Sequence, residues 1–190
     1  MRFEFNRHPK LEGSHAFLSP SSNAWINYDD AKLESRLQTV TAAQRGTELH
    51  QLAHDLIRLG VKLPDTTQTL NAYVNDAIGF RMKPEQTLFF SLNCFGTADA
   101  IGFYPEQNLV RIHDLKTGVT KASMTQLYVY LALFCLEYRC RPFEVSGELR
   151  IYQNDDVAIE EADQDMVAHI MDKIVTSNKR IEALRMEGLA

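Results

Sequence analysis

Apolar residues recur at helical spacing between Ala42 and Leu59, where Leu49, Leu52, Ala53, Leu56 and Ile57 share one face and Gly60 stops the run. Upstream, Ser19-Pro20-Ser21 reads as a helix start with serine as its cap and Trp25 early in the segment. Asp30 to Thr41 continues as a mixed polar and apolar helix, while residues 1–20 look irregular. Leu70 to Phe80 predicts another short helix, and Pro84 then breaks the chain. From Thr87 the period changes. Thr87 to Leu92 is rich in β-branched and aromatic residues and predicts a strand. Thr97 to Tyr104 and Leu109 to Leu115 read as a hairpin around Pro105-Glu106-Gln107-Asn108. Ser123 to Tyr138 is apolar nearly all round, which predicts a buried helix. Phe143 to Gln153 alternates as a strand, Asn154-Asp155-Asp156 closes it, and there is room for a short extended piece beyond. Asp163 caps a last helix with Met166, Val167, Ile170, Met171, Ile174 and Val175 on one face.

This order of elements predicts an α/β fold with a small mixed central sheet flanked by helices. The 190 residues suit one domain, with a helical part over about 1–85, a sheet and core over about 86–155 and a closing helix over about 163–187. A hydrophobic content of 45% with 24% charged residues places the chain among soluble globular proteins. The start MRFEFNRHPK has no signal-peptide apolar region, and the longest apolar stretch, Tyr128 to Leu136, is too short to span a bilayer. No membrane association and a cytoplasmic location are therefore expected. The cysteines Cys94, Cys135 and Cys140 are odd in number and lack CxxC spacing, which points to reduced thiols. The net charge of -5 changes the picture most. A protein holding nucleic acid by charge alone would be basic. A nucleic-acid site here would need a local basic patch or a bound metal ion.

Candidate chemistry concentrates in Gly96 to Gly118. Asp99 lies among small and apolar residues on one strand, and Asp114-Leu115-Lys116 ends the next. Charges at the edge of a core are costly unless they are paired or bind a metal. Two carboxylates suit a hard divalent cation such as magnesium or manganese, and an adjacent ammonium can hold a water. That set fits attack of water on a phosphodiester. An ordinary Asp–Lys pair on a surface hairpin explains the spacing equally well. His50 borders the apolar face of its helix. His54 lies one turn on, but His50-Gln51-Leu52-Ala53-His54 lacks the glutamate of a zinc-protease helix, so His54 reads as structural. Ser123-Met124-Thr125-Gln126 fits a capping box, with Gln126 reaching back to a backbone amide, and Tyr130 on the same face could be core. Glu85, just after Pro84, reads as an exposed loop acid or as a further site acid.

Taken in order, Leu18-Ser-Pro-Ser21, Arg45-Gly-Thr-Glu-Leu-His50, Gly96-Thr-Ala-Asp-Ala-Ile101, His113-Asp-Leu-Lys-Thr-Gly118 and Gln126-Leu-Tyr-Val-Tyr130 resemble the motifs of the RecB-like branch of the PD-(D/E)XK nucleases. The resemblance covers most of the chain and is nearest to small stand-alone exonucleases encoded by bacteriophages, of the CRISPR-adaptation and lambda-exonuclease type. It implies a restriction-endonuclease-like core and a metal-dependent deoxyribonuclease, with Mg2+ or Mn2+ as the cofactor. It implies that His50, Asp99, Asp114 and the backbone carbonyl of Leu115 hold the ion. Lys116 would position or activate the attacking water, and Gln126 and Tyr130 would orient substrate, so that Asp99, Asp114, Lys116, Gln126 and Tyr130 form the catalytic set. Glu85 stands near the place where relatives carry an extra glutamate. DNA is the implied partner, with a second copy of the chain or a phage recombination protein as further candidates. The setting would be phage DNA recombination, replication or degradation in a bacterial host's cytoplasm. Several relatives hold an iron–sulfur cluster with four cysteines; the three scattered cysteines here predict none. Nor is there a phosphate-binding loop or helicase motif. An endonuclease of the same fold, or a nuclease-fold protein that only binds DNA or a host protein, are the alternatives. Arg81, Lys83, Arg111, Lys121, Arg139 and Arg141 are candidates for a phosphate-binding rim, and Trp25 and Phe103 or Tyr104 for base stacking, although packing is the commoner role for such aromatics.

Overall fold

The computed structural model describes residues 16–188, so the reading of the first fifteen residues lies outside the described part. The chain divides into two units, one ending at Arg45 and one starting at Gly46. The first unit contains a 3-10 helix over Pro20–Asn27 and the opening half of helix α1, Asp30–Leu59. Ser19 stands at the N-cap of the 3-10 helix without a side-chain capping bond; its carbonyl instead accepts the Trp25 indole N–H at 3.0 Å. Asp29 supplies the missing kind of cap to α1, accepting the Lys32 amide at 2.7 Å. The two helical stretches expected on either side of Thr41 are thus one helix of 30 residues. No glycine or proline lies between them to end it.

The second unit runs through α2 (Thr69–Gly79), β1 (Lys83–Ser91), β2 (Cys94–Tyr104), β3 (Leu109–Leu115), α3 (Thr125–Tyr138), β4 (Ser146–Gln153), β5 (Asp156–Glu161) and α4 (Gln164–Met186). The five strands lie in chain order, and every pairing is antiparallel except β3 with β4. That parallel pair needs a crossover, and α3 supplies it. β3 is the central strand and is covered on both faces, so Val110 and Ile112 to Leu115 are all buried. One apolar cluster joins α3 and α4 to the sheet through Ile112, Leu127, Leu131, Leu149 and Val167. A second joins the end of α1 and α2 through Ala53, Ile57, Tyr73, Val74 and Leu115. The α/β layout with helices flanking a mixed sheet is therefore as the periodicity predicts.

Two details differ from the sequence reading. Pro84 does not break the chain but lies inside β1, which is tolerated because β1 is an edge strand with no second partner to receive an amide. The segment after Gln153 is a full strand. Asn154 and Asp155 both adopt left-handed backbone, at φ 55° and 58°, which is the conformation of a tight two-residue hairpin. β5 follows directly and pairs with β4.

Gly147 marks where α3 and the end of β5 press closest on β4. A Cβ there would meet the Leu131 side chain and lie 2.8 Å from the Ala162 Cβ. Overpacking of this kind costs about 1–3 kcal/mol, and about 1 kcal/mol moves the midpoint of a domain this size by about 2–4 °C. Gly147→Ala is expected to lower the thermal midpoint by several degrees in a calorimetric melt; an unchanged midpoint would mean that α3 does not seat on β4 as described.

Candidate metal centre

The site forms where the sheet's hydrogen-bond ladders open. Pro84 faces Ala100 and Gln86 faces Ala98, so Glu85 stands opposite Asp99. The β2–β3 ladder ends at Ala100 opposite His113, so the next rung sets Asp99 opposite Asp114. Three carboxylates from three neighbouring strands thus occupy one level. Glu85 reaches its place through a left-handed backbone, φ 49°, in the middle of a strand. A non-glycine residue held there stores strain of order 1–3 kcal/mol, a feature that gathers at functional sites.

Helix α1 brings His50 over this row. Its Nδ1 is 3.4 Å from Asp99 Oδ2. Ligand atoms of His50, Glu85 and Asp99 all lie within 4.8 Å of one another. Asp99 Oδ2 also accepts the Leu115 amide at 2.9 Å, which fixes the carboxylate against the end of β3. Leu115 itself buries its side chain in the second apolar cluster. Gly46, one turn before His50, lets the helix approach the Lys116–Gly118 loop: a Cβ there would be 2.8 Å from the Thr117 hydroxyl.

Asp114 is 2% exposed. Lys116 Nζ donates to its Oδ1 at 3.1 Å and stands 3.0 Å from Oδ2, but outside hydrogen-bond geometry for that second oxygen. Among the described residues, Oδ2 is left buried with no hydrogen bond. The Lys116 ammonium already stands beside this oxygen, so its charge is paired although the hydrogen bond is not made. Oxygen donors with one imidazole suit manganese or magnesium. Lys116 Nζ also donates to Gln126 Oε1 at 2.8 Å, the Gln126 amide donates to the Tyr130 hydroxyl at 3.2 Å, and Tyr130 donates to the Thr97 carbonyl at 2.6 Å. Each donor in this relay has one acceptor, so the orientation of the Gln126 amide follows from it.

The proximity of like charges appears in the titration behaviour. The Asp99 carboxylate beside His50 holds the imidazole pKa above its ordinary value, against the effect of burial. Burial, and then Asp99, raise the Asp114 pKa, while Lys116 opposes them. Burial and Asp99 likewise raise that of Glu85, and His50 and His54 pull it down.

The structure therefore brings His50, Asp99, Asp114, Leu115, Lys116, Gln126 and Tyr130 together, and adds Glu85, which the sequence left between two readings. The capping-box reading of Gln126 fails: Met124 is the N-cap of α3, and it is the Ser123 hydroxyl that accepts the Thr125 amide. His54 lies outside the cluster of ligand atoms, and its Nδ1 is buried without a partner among the described residues. Arg111 is no rim residue. It bonds Glu148 at 2.9 Å and lies over the Phe80 ring at 4.3 Å. Phe103 packs on Phe134, and the Tyr104 hydroxyl bonds the Phe80 carbonyl.

Two measurements follow from the buried carboxylate and the raised imidazole. The folded-state pKa of Asp114 lies above its unfolded value, so its favourable contribution exists at low pH and is lost as pH rises through the folded value. At pH 7 the ionised group is a cost. Asp114→Asn is expected to raise the thermal midpoint of the metal-free protein at pH 7, by about 2–4 °C for each 1 kcal/mol relieved, and, if Mn2+ fills the site, to lose any rise in midpoint that the ion produces in the wild type. A lower midpoint in chelator would contradict the charge-strain account. Metal binding also requires unprotonated ligands, and His50 holds its proton to higher pH than an ordinary imidazole. Mn2+ affinity by calorimetric titration is expected to be clearly weaker at pH 6 than at pH 8. Equal affinities would remove His50 from the ligand set.

No family model matches the chain, and no curated protein matches it by sequence. Among solved structures, a crystal structure of SSO0001 aligns at 14% identity with a TM-score of 0.33, covering 57% of this chain and 56% of that one. The alignment spans little more than half of either chain, and at that score it carries no argument about function.

Proposed function

We propose that the chain is a divalent-metal-dependent DNA exonuclease built on a restriction-endonuclease-like core of the RecB type. The observation that carries this reading is the row of Glu85, Asp99 and Asp114 across three adjacent strands, with His50 above it and Lys116 at its end. A divalent ion held by His50, Asp99, Asp114 and the Leu115 carbonyl, with Glu85 in reach, would supply positive charge to the phosphate oxygens and acidify water. The chain's own residues do the rest. Lys116 has three N–H donors; Asp114 and Gln126 take two and fix the ammonium, and the third would be left to hold a water. The relay through Tyr130 to the Thr97 carbonyl keeps Gln126 in place, so Tyr130 acts as a positioning residue. The net charge of -5 weighs against binding DNA by a basic surface, so on this reading the ion has to draw the phosphate.

Cleavage from an end is favoured because the residues from Gly46 onward provide one such centre. Cutting both strands inside a duplex takes two centres, usually from a symmetric dimer. The test is degradation of end-labelled linear DNA beside closed circular duplex in Mg2+ or Mn2+. Linear DNA is expected to shorten progressively while closed circles persist. Asp99→Asn and Lys116→Ala are each expected to lower the rate at least a few hundred-fold with circular dichroism unchanged, since losing one preorganised group costs about 3–4 kcal/mol in the transition state. Linearisation of closed circles at the same rate would replace the exonuclease by an endonuclease, and cleavage by the variants at wild-type rate would remove the site.

A further inference from the structure

Along β1 and β2, away from the carboxylate row, the same sheet face carries two more cross-strand pairs. Thr87 faces Thr97, with hydroxyl oxygens 3.0 Å apart. Phe89 then faces Phe95, with ring centroids 6.4 Å apart and planes 30° from parallel. Side chains two residues apart on a regular strand share a face, so Thr87 and Phe89 line up, as do Asp99, Thr97 and Phe95. The aromatic pair is open to solvent, at 47% exposed for Phe89 and 60% for Phe95. It lies four strand residues from Asp99, about 13 Å, which is the length of about four stacked nucleotides at ~3.4 Å each, or fewer in an extended strand.

We propose that Phe89 and Phe95 form a stacking platform that receives the bases of a single-stranded DNA segment leading into the carboxylate row. The inference rests on the reading of that row as a nuclease site. Three features select this occupant. First, the platform is continuous with the site: a strand whose phosphate sits at Asp99 passes the small, hydrogen-bonding Thr87–Thr97 step before it reaches the rings. Second, the exposed apolar surface here is aromatic, two near-parallel rings, and every base has a π-face that stacks on such a surface whatever the sequence. Third, the edge of β1 at this point is not open to a new strand, because the Phe89 amide already donates to Glu137 Oε2 at 2.8 Å. Strand addition by a second copy of the chain is blocked there, while both aromatic side chains stay exposed. Duplex DNA, with its bases stacked inside, has no face to offer the rings. The platform therefore selects single strands, or a duplex end whose terminal nucleotides have been separated.

The experiment uses the full-length protein with Mn2+ and two fluorescein-labelled probes of equal length, oligo(dT) and the same backbone with abasic sites. Phosphate charge is equal in the two, so stacking is the difference between them. The wild type is expected to bind and cleave oligo(dT) with at least ten-fold better kcat/KM than the abasic strand, mostly through KM. Phe89→Leu/Phe95→Leu keeps the apolar bulk that β1 and β2 need but removes the π-faces. It is expected to erase that ratio by raising KM about ten-fold or more, with kcat nearly unchanged. Phe89→Tyr/Phe95→Tyr is expected to restore it. Because stacking is not ionic, the effect should persist as salt is raised. If the wild type cleaves both probes equally, or the leucine variant matches it, the platform is overturned while the nuclease reading stands. If the probes are bound with the expected ratio but never cut, the nuclease reading fails and the platform stands. If sedimentation gives a wild-type dimer that the leucine variant dissolves, the rings are a subunit contact and the proposal is wrong.

Discussion

Everything at this end of the sheet depends on one unfavourable arrangement: three carboxylates from adjacent strands held at one level, two of them, Glu85 and Asp99, with ligand atoms within 4.8 Å of a partly buried imidazole's. Like charges placed directly opposite one another across a sheet destabilise it, and burial makes the cost larger. Burial first, and the Asp99 charge second, raise the pKa of both Asp114 and Glu85. The surroundings offset this cost only in part. Lys116 faces Asp114, the Leu115 amide faces Asp99, and Asp114 Oδ2 remains without a hydrogen bond. The left-handed backbone at Glu85 adds strain to the same place. A site left this incompletely neutralised by its own protein is one that a cation would relieve.

Holding that arrangement requires close approach on both sides of the sheet. On the α1 side, Gly46 leaves room for Thr117, which brings the helix carrying His50 down onto the loop after Lys116. On the α3 side, a Cβ at Gly96 would come within 3.1 Å of the Tyr130 ring, so the glycine allows Tyr130 to reach the Thr97 carbonyl. Both glycines are needed for the absence of a side chain and not for an unusual backbone. Their effect is to lock the Lys116–Gln126–Tyr130 relay between a strand and a helix.

A second polar network ties β3 and β4 together beneath α2. Tyr152 donates to Asp76 at 2.7 Å, so its oxygen is left to accept the Nδ1 proton of His113 at 3.2 Å. Arg150 bonds both Asp76 and Glu148, and Arg111 shares Glu148. His113 is fully buried, and burial, with Arg150 and Arg111 nearby, pushes its pKa down to about 3. It is a neutral hydrogen-bonding core residue although it directly precedes Asp114. Alternation along the strand accounts for this, since neighbouring residues point to opposite faces.

What the sequence by itself determined was local. Hydrophobic periodicity located the helices and strands, Asp163 capped α4 where expected, and Asp99 with Asp-x-Lys at 114–116 marked the two strands that carry the charges. No helix among the described residues is long and apolar enough to cross a membrane, as the short apolar runs indicated. What only the tertiary structure decided depends on strand register and on which helix lies over which strand. Glu85 joins the site because β1 pairs with β2 in one register and because its backbone turns left-handed within the strand; neither is encoded in the residues around it. Gln126 serves Lys116 and not the start of α3 because an ammonium ten residues away folds back onto it. Arg111 leaves the surface because Glu148, on a strand reached only through the α3 crossover, pairs with it. Phe89 and Phe95 look like two ordinary strand residues until the hairpin pairs them across β1 and β2, on the side of Thr97 away from Asp99. Periodicity fixes which way a side chain points along its own element, whereas the partner it meets is set by pairing between distant segments.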